Sequence, residues 1–311
     1  MAPKRILTSG DLVADRRADY AAMLAESGDA LAAADLMEQA LELAPGWTAG
    51  WVKLGDYREK AGLIEPAVEA YRRVAVSDDA ALFGVDLKLA ALGAAETPAL
   101  PPSAYVEGLF DDYADRFETA LVEKLGYSVP KKLAALIRTA KGDAHFALAV
   151  DLGCGTGLLG PEIGDCVSAL EGYDLSENML AKARAKGVYR HLARADLSLS
   201  PEASGLFDGL EQGRADLVAA ADVMMYLGDL DAAFANAATL STVGGLFAFS
   251  VEKDEARTGF SLRPSLRYAH SRAHVETILA RHGFAPIACE ETVIRMDAGQ
   301  PITGLLFLAR K

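Results

Sequence analysis

The sequence predicts a doubly wound α/β fold with a mostly parallel sheet, preceded by an all-α helical domain. Three observations carry this expectation. Residues 14–81 match themselves at an offset of 34. From Phe146 onward, short apolar runs alternate with amphipathic helical stretches, the pattern of a parallel sheet covered on both faces. The first of those runs enters a glycine-rich turn that opens straight into a helix.

At 311 residues the chain favours two domains, and with 51% apolar and 24% charged residues it has the composition of a globular protein. The net charge of −13 repels phosphate backbones and anionic membranes, and no Lys/Arg stripe offsets it, which argues against nucleic acid and membrane partners. Residues 1–11 lack the apolar stretch of a secretory signal, and no uncharged apolar run has membrane-spanning length. A cytoplasmic protein is expected. Cys154, Cys166 and Cys289 have no paired spacing, and His270 and His274, four apart, lack flanking acids, so no metal site is expected.

In the front third, the offset superposes Gly28 on Gly62, Ala33 on Ala67, Met37 on Tyr71 and Ala40 on Val74. Small residues sit where helix backbones approach, and larger ones fill the groove beside them. Together with Trp51, Leu54 and Gly55, the period resembles the tetratricopeptide repeat, although Arg58 stands where that repeat has an aromatic and Asp79 answers Pro45. Residues 14–92 form this helical domain by the sequence, with a capping helix over Ala80–Leu92. Residues 93–104, rich in proline, form a linker. The resemblance implies either a protein-binding or dimerisation face or packing against the following domain, and the short array favours packing.

A strand over Phe146–Val150 leads into Asp151, Gly153, Cys154, Gly155 and Gly157. The glycines let a ligand approach the backbone, and the helix N-terminus beyond offers free N–H groups. A dinucleotide site requires a third glycine where Leu158 stands, which argues against a nicotinamide cofactor. A second strand over Ala169–Tyr173 ends in Asp174-Leu175-Ser176, placing an acid where ribose hydroxyls are bound in such folds. A third strand near Tyr189–Ala193 precedes Asp196 and Leu197. A helix N-cap is the alternative reading of Asp196. A fourth strand, Ala215–Ala221, runs into Asp222 and then Val223 to Leu227. Gly244–Val251 is a fifth, and Pro286–Met296 with Ile302–Ala309 close the sheet as an antiparallel pair.

D-x-G-x-G-x-G followed by G-Y-D-L-S-E-N-M-L resembles the first two motifs of class I methyltransferases, with a Rossmann-like, seven-stranded sheet. Residues 105–311 are covered by this resemblance. With its repeats, the whole chain resembles the bacterial group of predicted methyltransferases that carry tetratricopeptide repeats. The resemblance implies S-adenosylmethionine as cofactor, S-adenosylhomocysteine as product and no metal. It places Asp151 and Gly153 to Gly157 at the methionine moiety, Asp174 and Leu175 at the ribose and Asp196 and Leu197 at the adenine. Asp222 and Tyr226 would face the transferring methyl. Tyr113 and Phe117, on a leading helix, would shield the sulfonium, with core packing the plainer reading of Phe117.

His270 is a candidate base or acceptor ligand if Arg267–Ser271 is a loop beyond the strand ends, and a helix-capping role is the plainer alternative. A sulfonium donor is intrinsically reactive, so positioning supplies much of the acceleration and a base is optional. The D/N-P-P-Y/F string of amine methylation does not follow Asp222. An oxygen of a small molecule is therefore the preferred acceptor, against a protein recruited by the repeats or a binding protein without chemistry.

Overall fold

The computed structural model describes residues 8–114, 126–142, 145–255, 259–297 and 299–311. The chain divides into two compact units, Met1–Tyr105 with Pro264–Leu266, and Val106–Arg263 with Arg267–Lys311.

The first unit is helical: α1 (Leu12–Glu26), α2 (Ala30–Leu43), α3 (Thr48–Lys60), α4 (Ile64–Ala75), α5 (Ala80–Phe83) and α6 (Val85–Ala91). Asp11 caps α1 and Asp29 caps α2, each carboxylate accepting backbone N–H groups of the first turn. The 34-residue offset is visible in the packing. Gly28 and Gly62 both turn at positive φ, and Ala33, Ala67, Met37 and Tyr71 are all fully buried. Gly55 makes room for the Tyr71 ring, which a Cβ would meet at 2.3 Å. The Tyr71 hydroxyl lies within hydrogen-bond distance of Asp56 and Glu59. The single capping helix expected over residues 80–92 is instead two short helices. They are divided at Gly84, whose left-handed φ of 59° ends α5.

The second unit takes in α7 (Ser103–Tyr113) from Val106 onward, then α8 (Val129–Lys141), and continues as an α/β fold. Its strands are β1 (Ala149–Leu152), β2 (Leu170–Asp174), β3 (His191–Arg194), β4 (Ala215–Ala220), β5 (Ser241–Lys253), β6 (Phe260–Leu262), β7 (Tyr268–His270), β8 (Ala285–Asp297) and β9 (Gln300–Arg310). Between them lie α9 (Leu159–Ile163), α10 (Glu177–Ala185), α11 (Asp231–Leu240) and α12 (Arg272–Arg281). β3, β2, β1, β4 and β5 pair in that order and in parallel, and β9 then pairs antiparallel with β5 and β8 with β9. This is the expected doubly wound order with its closing antiparallel pair.

Among the described residues the sheet has nine strands, not seven. The two extra strands, β6 and β7, form an antiparallel hairpin, and β7 continues along β5 at Glu252 and Lys253, beyond the end of β4. The expected loop at Arg267–Ser271 is thus partly strand. A three-residue strand has too little alternation to be read from sequence. The core beside β5 is aromatic, with Phe249 stacked on Phe307 and edge-on to Phe234. No helix among the described residues is long and apolar enough to cross a membrane.

Candidate functional site

The chain leaves β1 through Gly153, Cys154, Gly155, Thr156 and Gly157. The three glycines take φ of 63°, 54° and 83°, where an L side chain costs about 1–2 kcal/mol. A Cβ on Gly153 would stand 2.5 Å from Val223 Cγ2, and one on Gly157 2.8 Å from the Tyr189 ring, whereas one on Gly155 would meet nothing within 4 Å. The turn is packed at both ends and open in the middle.

Two carboxylates flank that opening, Asp151 buried and Asp174 half-buried. Asp151, on β1, accepts a 2.8 Å hydrogen bond from the Tyr189 hydroxyl, and burial pushes its pKa up to about 7. Asp174, the last residue of β2, accepts from the Gly155 N–H at 2.8 Å and the Ser176 N–H at 2.9 Å, and burial pushes it up to about 6. Neither forms an ion pair among the described residues. Acids shielded from water and without a basic partner, beside open backbone, suit a ligand that brings its own cation and hydroxyl donors. The Cys154 thiol is buried and its pKa is raised, so this residue serves the turn through its backbone.

A second cluster lies past the end of β4. Asp222 adopts φ 62°, unusual for a residue with a side chain, and its N–H donates to Ser250 Oγ at 2.8 Å. Its carboxylate receives Arg295 Nη1 at 3.1 and 3.3 Å, and Arg295 Nη2 reaches Glu252. Arg295 is 2% exposed. It enters from β8, where a register irregularity between Val293 and Arg295 lets consecutive residues, Ile294 and Arg295, both turn inward. Gly304 on β9 admits this packing, since a Cβ there would be 2.6 Å from Ile294 Cγ2. The expectation that Asp222 serves the cofactor is corrected in this respect: its carboxylate is committed to a buried ion-pair network.

Tyr226 follows in a short 3-10 turn, Met224–Tyr226. Its ring meets Phe110 of α7 edge-on at 5.0 Å, and Arg267 hydrogen-bonds its hydroxyl. Burial raises its pKa, so it is a neutral phenol at neutral pH. Arg267 also pairs with Asp297 at 3.1 Å. Burial raises the pKa of the Tyr127 phenol, which also feels the charges of Asp222, Asp151 and Arg295.

Residues 150–247 match the family model described as a methyltransferase domain. The chain carries a methyltransferase domain over these residues. Over 115 residues it is 31% identical to methyltransferase-like protein 27 of Homo sapiens, a match covering 36% of this chain and 46% of that protein. The chain thus spans under half the length of that curated relative. Among solved structures it resembles the magnesium protoporphyrin IX methyltransferase of Synechocystis PCC 6803 with bound S-adenosylhomocysteine, at 19% identity and a TM-score of 0.51. That match covers 67% of this chain and 99% of the other. It also resembles the [4+2]-cyclase SpnF, at 15% identity and a TM-score of 0.55, over 68% and 97% of the two chains. At such identities the likeness concerns the fold and not the reaction.

Within the methyltransferase domain the remaining candidates fall unevenly. Leu175 is half-buried beside Asp174, and Leu197 is buried. Asp196 Oδ1 accepts from the Ser198 N–H at 2.9 Å and the Ser198 hydroxyl at 2.6 Å, closing a turn with no helix after it, so the helix-cap reading fails. Tyr113 ends α7, but its side chain, like the whole of Phe117, lies outside the described residues. His270 is corrected. It sits in β7, fully buried, with Nε2 3.0 Å from the Gly228 carbonyl oxygen, and burial lowers its pKa to about 4. The hydroxyl of Ser271 caps α12. A side chain closed off from solvent in a strand has no path to an acceptor, so His270 has no catalytic role.

Sequence reading missed Arg295, Glu252, Arg267, Tyr127 and Tyr189. Gly304 inside a strand was the one available signal, since such a glycine marks a close backbone approach. Among the described residues no group of three or more His, Cys, Asp or Glu is placed to hold a metal.

Proposed function

We propose that the chain binds S-adenosylmethionine at the glycine turn and transfers its methyl group to an oxygen of a small molecule beside Tyr226. The observation that carries this reading is the pair of acids without basic partners, buried Asp151 and half-buried Asp174, on either side of the open backbone at Gly155. Asp174 would hold the ribose hydroxyls, Asp151 the ammonium group, and Asp196 with Leu197 the adenine. When bound, the cofactor supplies an electrophilic methyl on a sulfonium.

The chain's own residues then orient and dehydrate. Tyr127 and Tyr226 would line the acceptor space, and Arg267 holds the Tyr226 hydroxyl in place. A neutral phenol orients an acceptor oxygen by hydrogen bonding and takes no proton from it. The acceptor's proton leaves to solvent as the new carbon–oxygen bond forms and the carbon–sulfur bond breaks. Calorimetric titration with S-adenosylhomocysteine tests the cofactor assignment. Micromolar binding with no response to NAD is expected, and the reverse would sink it. With any acceptor found by screening, Tyr226→Phe should lower turnover about 100-fold while cofactor affinity stays within about twofold. The helical unit, in this proposal, is a tetratricopeptide-like pair of repeats.

A further inference from the structure

The helical unit leaves one apolar surface unexplained. α1 packs on α2 through Ala14, Ala18 and Ala21, all buried. On its other side Leu12, Val13, Tyr20 and Met23 are 80%, 53%, 63% and 63% exposed. With 3.6 residues per turn, these four fall within an arc of about 100°. A helix at the end of a stack normally presents a polar outer face, because no neighbour covers it. This one presents an apolar stripe.

Two charges, Arg16 within the stripe and Asp19 at its edge, say what fits it. Arg16 and Asp19 are exposed and make no ion pair among the described residues. Leu12 and Met23 are centred on the same point of the helix as Arg16 and Asp19, midway between residues 17 and 18. A two-fold axis crossing α1 there lays a second α1 antiparallel on the first. Leu12 then meets Met23 of the other copy, and Arg16 meets Asp19 twice over. Self-complementarity of this kind is what an isologous interface requires, and a foreign partner would give no reason for it. Tyr20, close to the axis, brings its ring under the other copy's Arg16.

We propose that the outer face of α1 joins two copies of this chain in an antiparallel, two-fold contact. One 15-residue helix presents an area at the low end for specific interfaces, so the dimer is a weak, reversible one.

Sedimentation of the full chain over a concentration series tests this. A reversible monomer–dimer equilibrium is expected. Tyr20→Glu with Met23→Glu should weaken it at least about 100-fold and leave circular dichroism and the melting temperature unchanged, because both side chains face solvent in the monomer. Arg16→Asp and Asp19→Arg, singly, should each weaken it about 3- to 10-fold, and the double exchange should restore the parent value. Three results would overturn the proposal. One is a chain monomeric at every concentration, and another a dimer indifferent to the Tyr20/Met23 variant. The third is a double exchange no better than the singles, which would mean the stripe receives a different partner.

Discussion

The two halves of the candidate site are built in opposite ways. The glycine turn and its two acids come from one stretch of chain, β1 to β2, and backbone geometry does most of the work: positive φ at three glycines and two carboxylates left without basic partners. The acceptor half, past the end of β4, is assembled from distant segments. Asp222 and Arg295 are 73 residues apart, and the cluster is held by side-chain charge pairs. The difference teaches that this domain keeps unpaired charge where a charged ligand is expected and paired charge where shape has to be held.

The largest effect should come from breaking the paired side. Arg295→Ala would strand Asp222 and Glu252, both nearly buried, and lower stability by about 3–5 kcal/mol in chemical denaturation. A loss below about 1 kcal/mol would mean the network is incidental. Arg295→Met with Asp222→Asn and Glu252→Gln removes the charges together and should recover much of the loss. On the unpaired side, Asp174→Ala should weaken S-adenosylhomocysteine binding by about 2–4 kcal/mol while the fold persists. An unchanged titration would place the ribose elsewhere.

What was legible in the sequence follows the same division. Asp151, the glycines and Asp174 were readable because strand, turn and helix are local, and a glycine at positive φ has a physical cause that its neighbours reveal. The five parallel strands and the closing pair were readable because short apolar runs alternate with helical stretches and turns along the chain. Asp222 and His270 were misread for one reason: the partners that decide their roles, Arg295 and the Gly228 carbonyl, lie far along the chain. A three-residue strand such as β7 leaves no periodic trace.

The hairpin and the glycine turn should also differ in the sign of their pH dependence. His270 has its pKa lowered to about 4 from 6.5. Its stability contribution is complete above the unfolded value and is lost as pH falls from about 6.5 towards 4, on the order of 2–3 kcal/mol. Measured in a pH series of denaturation curves, His270→Asn should flatten that acid limb. An unaltered limb would show that His270 is not what titrates.

Asp151 runs the other way, and its effect is read in binding. Its folded pKa of about 7 lies above the ordinary 3.8, so the cofactor-free protein holds a proton there that the unfolded chain releases. Stability from this group therefore falls as pH rises from about 4 to 7, where ionisation leaves a buried charge without a cation. A ligand ammonium favours the ionised form. Affinity for S-adenosylhomocysteine should then rise with pH through this window, by at most tenfold, about 1.4 kcal/mol, per unit, and level off above pH 7. Calorimetry in buffers of different ionisation enthalpy would detect the accompanying proton release near pH 6. Asp151→Asn should abolish most of the slope and leave the ribose contribution of Asp174 in place. If the slope survives the substitution, Asp174, pushed up to about 6, is the group that titrates, and the ammonium contact belongs elsewhere on the turn.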